Sequence, residues 1–162
     1  MNDSKTEKSG ILIIGIGNSG RNDDGLGWKF VDIASQTMRG YFDVEYRYQL
    51  QIEDAELVSK YNKVIFADAS QEAIQNGFEI TMCKKAGHYF FSSHLQSPET
   101  ILYLAEMLYN KRPETFTLAI EGKNWGLGKS ISKEAEKNLE KALAYFKKTF
   151  LPSIRPFIMD YQ

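Results

Sequence analysis

The chain has 162 residues, 43 % of them hydrophobic and 25 % charged, which suits one domain with a packed core and excludes a disordered tail. Twenty basic against 21 acidic side chains leave a formal charge of −1, so the basic field that nucleic acid or an anionic membrane requires is missing. The single cysteine, Cys83, has no partner for an internal disulfide or a thiolate cluster, and residues 1–10 lack the apolar stretch of a signal peptide. A cytoplasmic protein with no membrane span is expected, because no apolar run approaches about 18 residues.

In chain order, residues 1–9 are expected to be a flexible start. Residues 11–16 (ILIIGI) are apolar and β-branched, as a strand buried on both faces should be. A glycine-containing loop over 17–23 follows. Leu26, Phe30, Ile33 and Ala34 then recur on one helical face, and Gly40 is a natural stop. The pattern predicts a strand over 42–48, a short helix over 53–60 and a second buried strand over 63–68. This βαβαβ opening implies parallel strands with right-handed crossovers. A shorter strand is expected over 78–83, then a long loop over 86–96 rich in aromatics and serine, a candidate lid. Ser97 followed by Pro98 opens a helix whose buried face is Ile101, Leu104, Ala105 and Leu108. A last strand over 115–120, a loop over 122–128 and an amphipathic helix over 132–150, ended by Pro152, complete the chain. Nothing splits it: one domain is expected, with its core over 10–151 and a tail over 152–162.

Two signals compete for the function. Gly15, Gly17 and Gly20 form a GxGxxG after a strand, which proposes a dinucleotide site with Glu45 on a ribose. In that motif the glycines run straight into the helix. Here Arg21-Asn22-Asp23-Asp24-Gly25 intervenes and puts two carboxylates where a phosphate would sit. The second signal is that acidic pair. One aspartate is expected to cap the helix, which leaves the other to face the crevice between strands 1 and 3, the switch point of an open sheet of order 2-1-3. Asp68 ends the third strand at the same edge, and a carboxylate closing an apolar run needs a partner or a metal. Two converging carboxylates repel, so one is raised in pKa or a cation lies between them. His88 and His94, both in the long loop, are the candidate third ligands of an open site suited to Ni²⁺, Zn²⁺ or Mn²⁺.

The run ILIIGIGNSGRNDDGLG, followed by VIFADAS and then SSHLQSP, resembles the nickel-iron hydrogenase maturation endopeptidases over nearly the whole chain. The resemblance implies a three-layer α/β/α sandwich of phosphorylase/hydrolase-like type. Its five-stranded, mostly parallel sheet would have the order 2-1-3-5-4, with strand 4 antiparallel. It implies a hydrolase that removes the C-terminal extension of a hydrogenase large-subunit precursor after nickel insertion. Asp24, Asp68 and His94 would converge on Ni²⁺ supplied by that precursor, with His88 a bystander. Asp24 and Asp68 are the implied catalytic residues, by an aspartic-type or a metal-assisted route, and Gly17, Asn18, Asp23 and Gly25 the implied substrate contacts. A monomer or weak homodimer is expected. The alternatives are a Rossmann-like nucleotide or cofactor binder and a nickel-dependent maturation chaperone that does not cleave. Two departures stand out: Asn22 where the family commonly has glycine, and Tyr48-Gln49-Leu50-Gln51-Ile52-Glu53-Asp54 where many members have a glycine-rich stretch.

Overall fold

The computed structural model describes residues 10–87 and 96–155. The expected starts at 1–9, the aromatic lid of Tyr89, Phe90 and Phe91, both histidines and the tail beyond residue 155 lie outside the described residues.

Five strands, β1 (Ile11–Ile16), β2 (Asp43–Arg47), β3 (Lys63–Ser70), β4 (Phe78–Met82) and β5 (Glu114–Glu121), form one sheet of order 2-1-3-5-4. β2, β1, β3 and β5 run parallel, and β4 pairs antiparallel with β5 at one edge. Both the order and the reversed edge strand agree with the expectation. Ile11, Leu12, Ile13 and Ile14 are at most 1 % exposed, so the strand that the sequence marks as purely apolar is buried on both faces. Alternation along each strand divides the core in two. Ile13, Ile65, Leu118 and Ile120 face α1 (Leu26–Thr37) and α4 (Lys133–Tyr145), while Leu12, Ile14, Val64 and Phe66 face α2 (Asp54–Ser59) and α3 (Pro98–Tyr109). No helix among the described residues is long and apolar enough to cross a membrane.

The starts of α3 and α4 follow their sequence signals. The Ser97 side chain accepts from the Thr100 N–H at 3.2 Å with Pro98 in the first turn, and Ser132 accepts from Ala135 in the same way. Pro152, expected to stop the last helix, does not. A π-helical turn, Phe146–Phe150, follows α4 and leads into α5 (Leu151–Ile154), which contains the proline. A proline inside an α-helix lacks the N–H of the i→i−4 bond and its ring clashes with the facing carbonyl; the wider turn just before it relieves that conflict. Phe146, Phe150, Leu151 and Ile154 remain buried, so the core reaches past the expected boundary at 151.

The approach of α1 to the sheet sets the geometry of everything above it. A Cβ on Gly15 would lie 2.7 Å from the Gly27 carbonyl oxygen, and one on Gly27 would meet the carbonyls of Ile16 and Ala67. Helix and strands therefore meet backbone to backbone. Gly27 is the second residue of α1, where alanine would ordinarily gain at most about 1 kcal/mol over glycine from propensity. Here Gly27→Ala is expected to cost about 2–3 kcal/mol, because two fixed backbone carbonyls must give way, and thermal unfolding reads the sign directly.

Candidate active site

The crevice arises where β1 leaves the sheet. The pairing of β1 with β3 ends at Gly15 opposite Ala67, whereas β3 continues beside β5 through Asp68 opposite Ala119 to Ser70 opposite Glu121. The chain turns away at Gly17, whose φ of +138° only glycine adopts readily; a Cβ there would fall on the Asp24 carbonyl oxygen. Asp68 is thus left without a strand neighbour on its β1 side, on the same face as Phe66 and towards α2 and α3. Above it opens a cleft of about 720 Å³, lined by Gly17, Asp24, Asp68, Ser70 and Thr117 together with the Tyr48–Leu50 stretch and the start of α3 at Pro98 and Glu99.

Asp24 comes to this cleft from a 3₁₀ turn, Asn22–Gly25, that leads into α1. The turn begins with Asn22 at φ +51°, the left-handed region that asparagine tolerates, so the departure from glycine leaves the turn intact. One carboxylate oxygen of Asp24 accepts the Asn18 N–H at 3.0 Å. Asp68 accepts the N–H of its own neighbour, Ala69, at 2.8 Å. Burial raises the Asp68 carboxyl and the Asp24 charge raises it further; the Ala69 N–H opposes them, and the result is a pKa of about 7. Such a group gives or takes a proton at neutral pH, and beside a second carboxylate it also forms a donor pair for a divalent cation.

The expected helix cap is absent. Neither aspartate bonds to the first turn of α1. Asp23, expected to contact substrate, is 0 % exposed and binds elsewhere, accepting from the N–H groups of Lys123, Asn124 and Ser132 and from the Ser132 hydroxyl, each within 2.8 Å. Those bonds hold its carboxyl below the usual range against the opposing effect of burial. Gly25 is buried as well, packed on Ser19. Asn18 spends its N–H on Asp24 and its side-chain oxygen on the Gly20 N–H. Among the described residues no three histidine, cysteine or acidic side chains gather to hold a metal, and His94 lies outside them.

The glycine loop does not suit a phosphate. The N–H groups of Gly17, Asn18, Gly20, Arg21 and Asn22 are all taken by protein acceptors, at Arg47, Asp24, Asn18, Asn18 and Gly128 respectively. A pyrophosphate needs such donors free. The residues that sequence reasoning missed are those after β2 and at the start of α3. Tyr48 is 66 % exposed on the cleft rim and stacks on Trp28 at 5.1 Å, which the strand-end rule for open sheets could have found.

The raised Asp68 pKa has a consequence for stability. The unfolded carboxyl ionises near pH 4 and the folded one near 7, so stability falls with rising pH across that interval. Asp68→Asn keeps the acceptor for Ala69 and removes the ionisation. In metal-free protein it is expected to raise stability at pH 8 by roughly 1–3 kcal/mol, with the difference vanishing below pH 4, as read by urea unfolding at both pH values. Saturable binding of NAD⁺ is not expected, and calorimetry with the dinucleotide checks it.

No protein-family model matches the sequence, and no curated protein does. Solved structures match in fold. The [NiFe] hydrogenase maturation protease HycI from Thermococcus kodakarensis superposes with a TM-score of 0.67 at 17 % identity, over 87 % of this chain and 92 % of that one. HybD from the same organism gives 0.59 at 21 % identity, over 85 % and 97 %. The hydrogenase maturating endopeptidase HybD from E. coli gives 0.58 at 18 % identity, over 85 % and 91 %. The chain therefore has the fold of the [NiFe] hydrogenase maturation proteases.

Proposed function

We propose that the protein is a [NiFe] hydrogenase maturation endopeptidase, which hydrolyses one peptide bond of a large-subunit precursor and releases its C-terminal extension. The observation that carries this reading is the pair Asp24 and Asp68, delivered from different elements to one cleft at the carboxyl end of the sheet, with the charge of one acting on the other. The shared fold and the three ordered sequence motifs support it.

In this reading the nickel belongs to the precursor. Asp24, Asp68 and His94 engage it as it arrives, which makes nickel loading the condition for cleavage. Either Asp24 takes a proton from the attacking water, or the nickel polarises the scissile carbonyl; Asp68, titrating near neutrality, holds or releases the proton that the leaving amine needs. Gly17, which lines the crevice, guides the chain past Asp24, and the Asn18 N–H holds the Asp24 carboxylate. A cytoplasmic site of action fits a step on a newly loaded precursor.

The test is incubation of the purified protein with nickel-loaded and with nickel-free precursor, read by mass spectrometry of the released tail. Cleavage is expected only with the loaded form. Asp24→Ala and Asp68→Ala should each lower the rate by about 10²–10⁴-fold, the usual contribution of a positioned acid or base. A loaded precursor that binds and stays intact would overturn the peptidase reading in favour of a chaperone.

A further inference from the structure

Asp23 and Asp24 are adjacent, yet their carboxylates serve opposite sides of the turn. Asp24 turns to Asn18 and the cleft. Asp23 turns the other way and is buried with both oxygens bonded. Its Oδ2 accepts from Lys123, Asn124 and the Ser132 hydroxyl, at 2.7, 2.8 and 2.7 Å, and its Oδ1 from the Ser132 N–H at 2.7 Å. Asn22 adds to the same clamp. Its side chain donates to the carbonyls of Gly126 and Leu127 and accepts from the Ser130 N–H, and its own N–H reaches Gly128. The Asp23 N–H donates to Asn124. The segment 122–132 is thereby wrapped around two residues of the turn.

The clamp is anchored in the fold at both ends. Gly122 follows β5 directly, and a Cβ there would lie 2.8 Å from the Asp23 Cβ, so the loop closes tightly only because that position is glycine. Ser132 is shared: the hydroxyl that donates to Asp23 accepts the Ala135 N–H at the start of α4. A line of bonds thus runs from α4 through Ser132 and Asp23 to the backbone of Asp24, and from the Asp24 carboxylate to Asn18. None of the Asp23 oxygens faces the cleft, which Asp23 does not line.

We propose that Asp23 is a positioning residue for the site: by clamping 122–132 it fixes the 3₁₀ turn and so the direction in which the Asp24 carboxylate meets the crevice. The inference rests on the peptidase reading only for its effect on turnover. The orientation of Asp24 is a property of the fold and is read separately.

The Asn18 amide, bonded to the Asp24 carboxylate, is the reporter. Hydrogen exchange and ¹⁵N chemical shifts of the whole chain are compared for wild type, Asp23→Asn, Ser132→Ala and, as a control in the same segment whose exposed side chain takes no part in the Asp23 and Asn22 bonds, Lys129→Ala. In Asp23→Asn the Asn18 amide is expected to shift and to lose about tenfold in protection, while the buried β1 amides keep theirs. Cleavage should lose about ten- to a hundredfold in kcat with KM little changed, the cost of a misplaced catalytic group. Ser132→Ala, which deletes one of the four bonds, should fall between, and Lys129→Ala should match wild type. An Asn18 amide unchanged in folded Asp23→Asn, or in Ser132→Ala if the first variant does not fold, overturns the proposal. So does a kcat loss that merely follows the fall in Tm. If wild type leaves the precursor uncut, the peptidase reading fails while the amide measurement still decides the positioning role.

Discussion

Helix α1 lies against β1 and β3 with backbone touching backbone, and the position of the candidate site follows from that contact. At Gly15 and Gly27 no side chain separates the helix from the strands. The first turn of α1 consequently starts directly over the point where β1 ends and β3 continues, and Asp24 arrives beside Asp68 without a long loop to carry it. A bulkier residue at either glycine would lift the helix and widen the crevice. Of the glycines that imitate a dinucleotide fingerprint, Gly15 acts here through packing and Gly17 through its positive φ, both roles glycine has in a tight strand-to-helix connection.

The crevice is held in a state that costs free energy. Asp68 is poorly hydrated, close to another carboxylate, and supported by one short-range backbone bond. Asp23, one residue from Asp24, has the opposite environment: four donors converge on it and keep it ionised. Two buried or half-buried aspartates thus differ in proton affinity because one is surrounded by N–H and O–H groups and the other by apolar strand and a like charge. Groups so poised are commonly functional, since a proton or a cation arriving at Asp68 relieves strain that the fold otherwise bears. The cost is carried by a sheet whose central strand, β3, is buried from Val64 to Ala67 just before it reaches Asp68.

Much of this was legible in the sequence, for reasons that differ between elements. β1 and β3 announce themselves because strands covered on both faces must be continuously apolar. The start of α3 is legible because Ser97 and Pro98 solve a local problem of unpaired N–H groups. The last helix misled at Pro152, since the π turn that accommodates it depends on the burial of Phe146 and Phe150 against the sheet and not on the local sequence. Asp23 misled in the same way. An aspartate before a helix suggests a cap, and the competing donors come from residues about 100 positions later.

The sequence by itself determined the order of strands and helices, the apolar faces that divide the core, and the candidacy of Asp24 and Asp68, because periodicity, glycine placement and a charge closing an apolar strand are local facts. The tertiary structure decided that Asp23 turns away into segment 122–132, that the N–H groups of Gly17, Asn18, Gly20, Arg21 and Asn22 are already bonded within the protein, and that Tyr48 and Thr117 share the cleft with Asp68. Those outcomes depend on hydrogen bonds and contacts between segments remote in sequence. A chain reading gives each residue's capacity for such bonds; only folding chooses the partners.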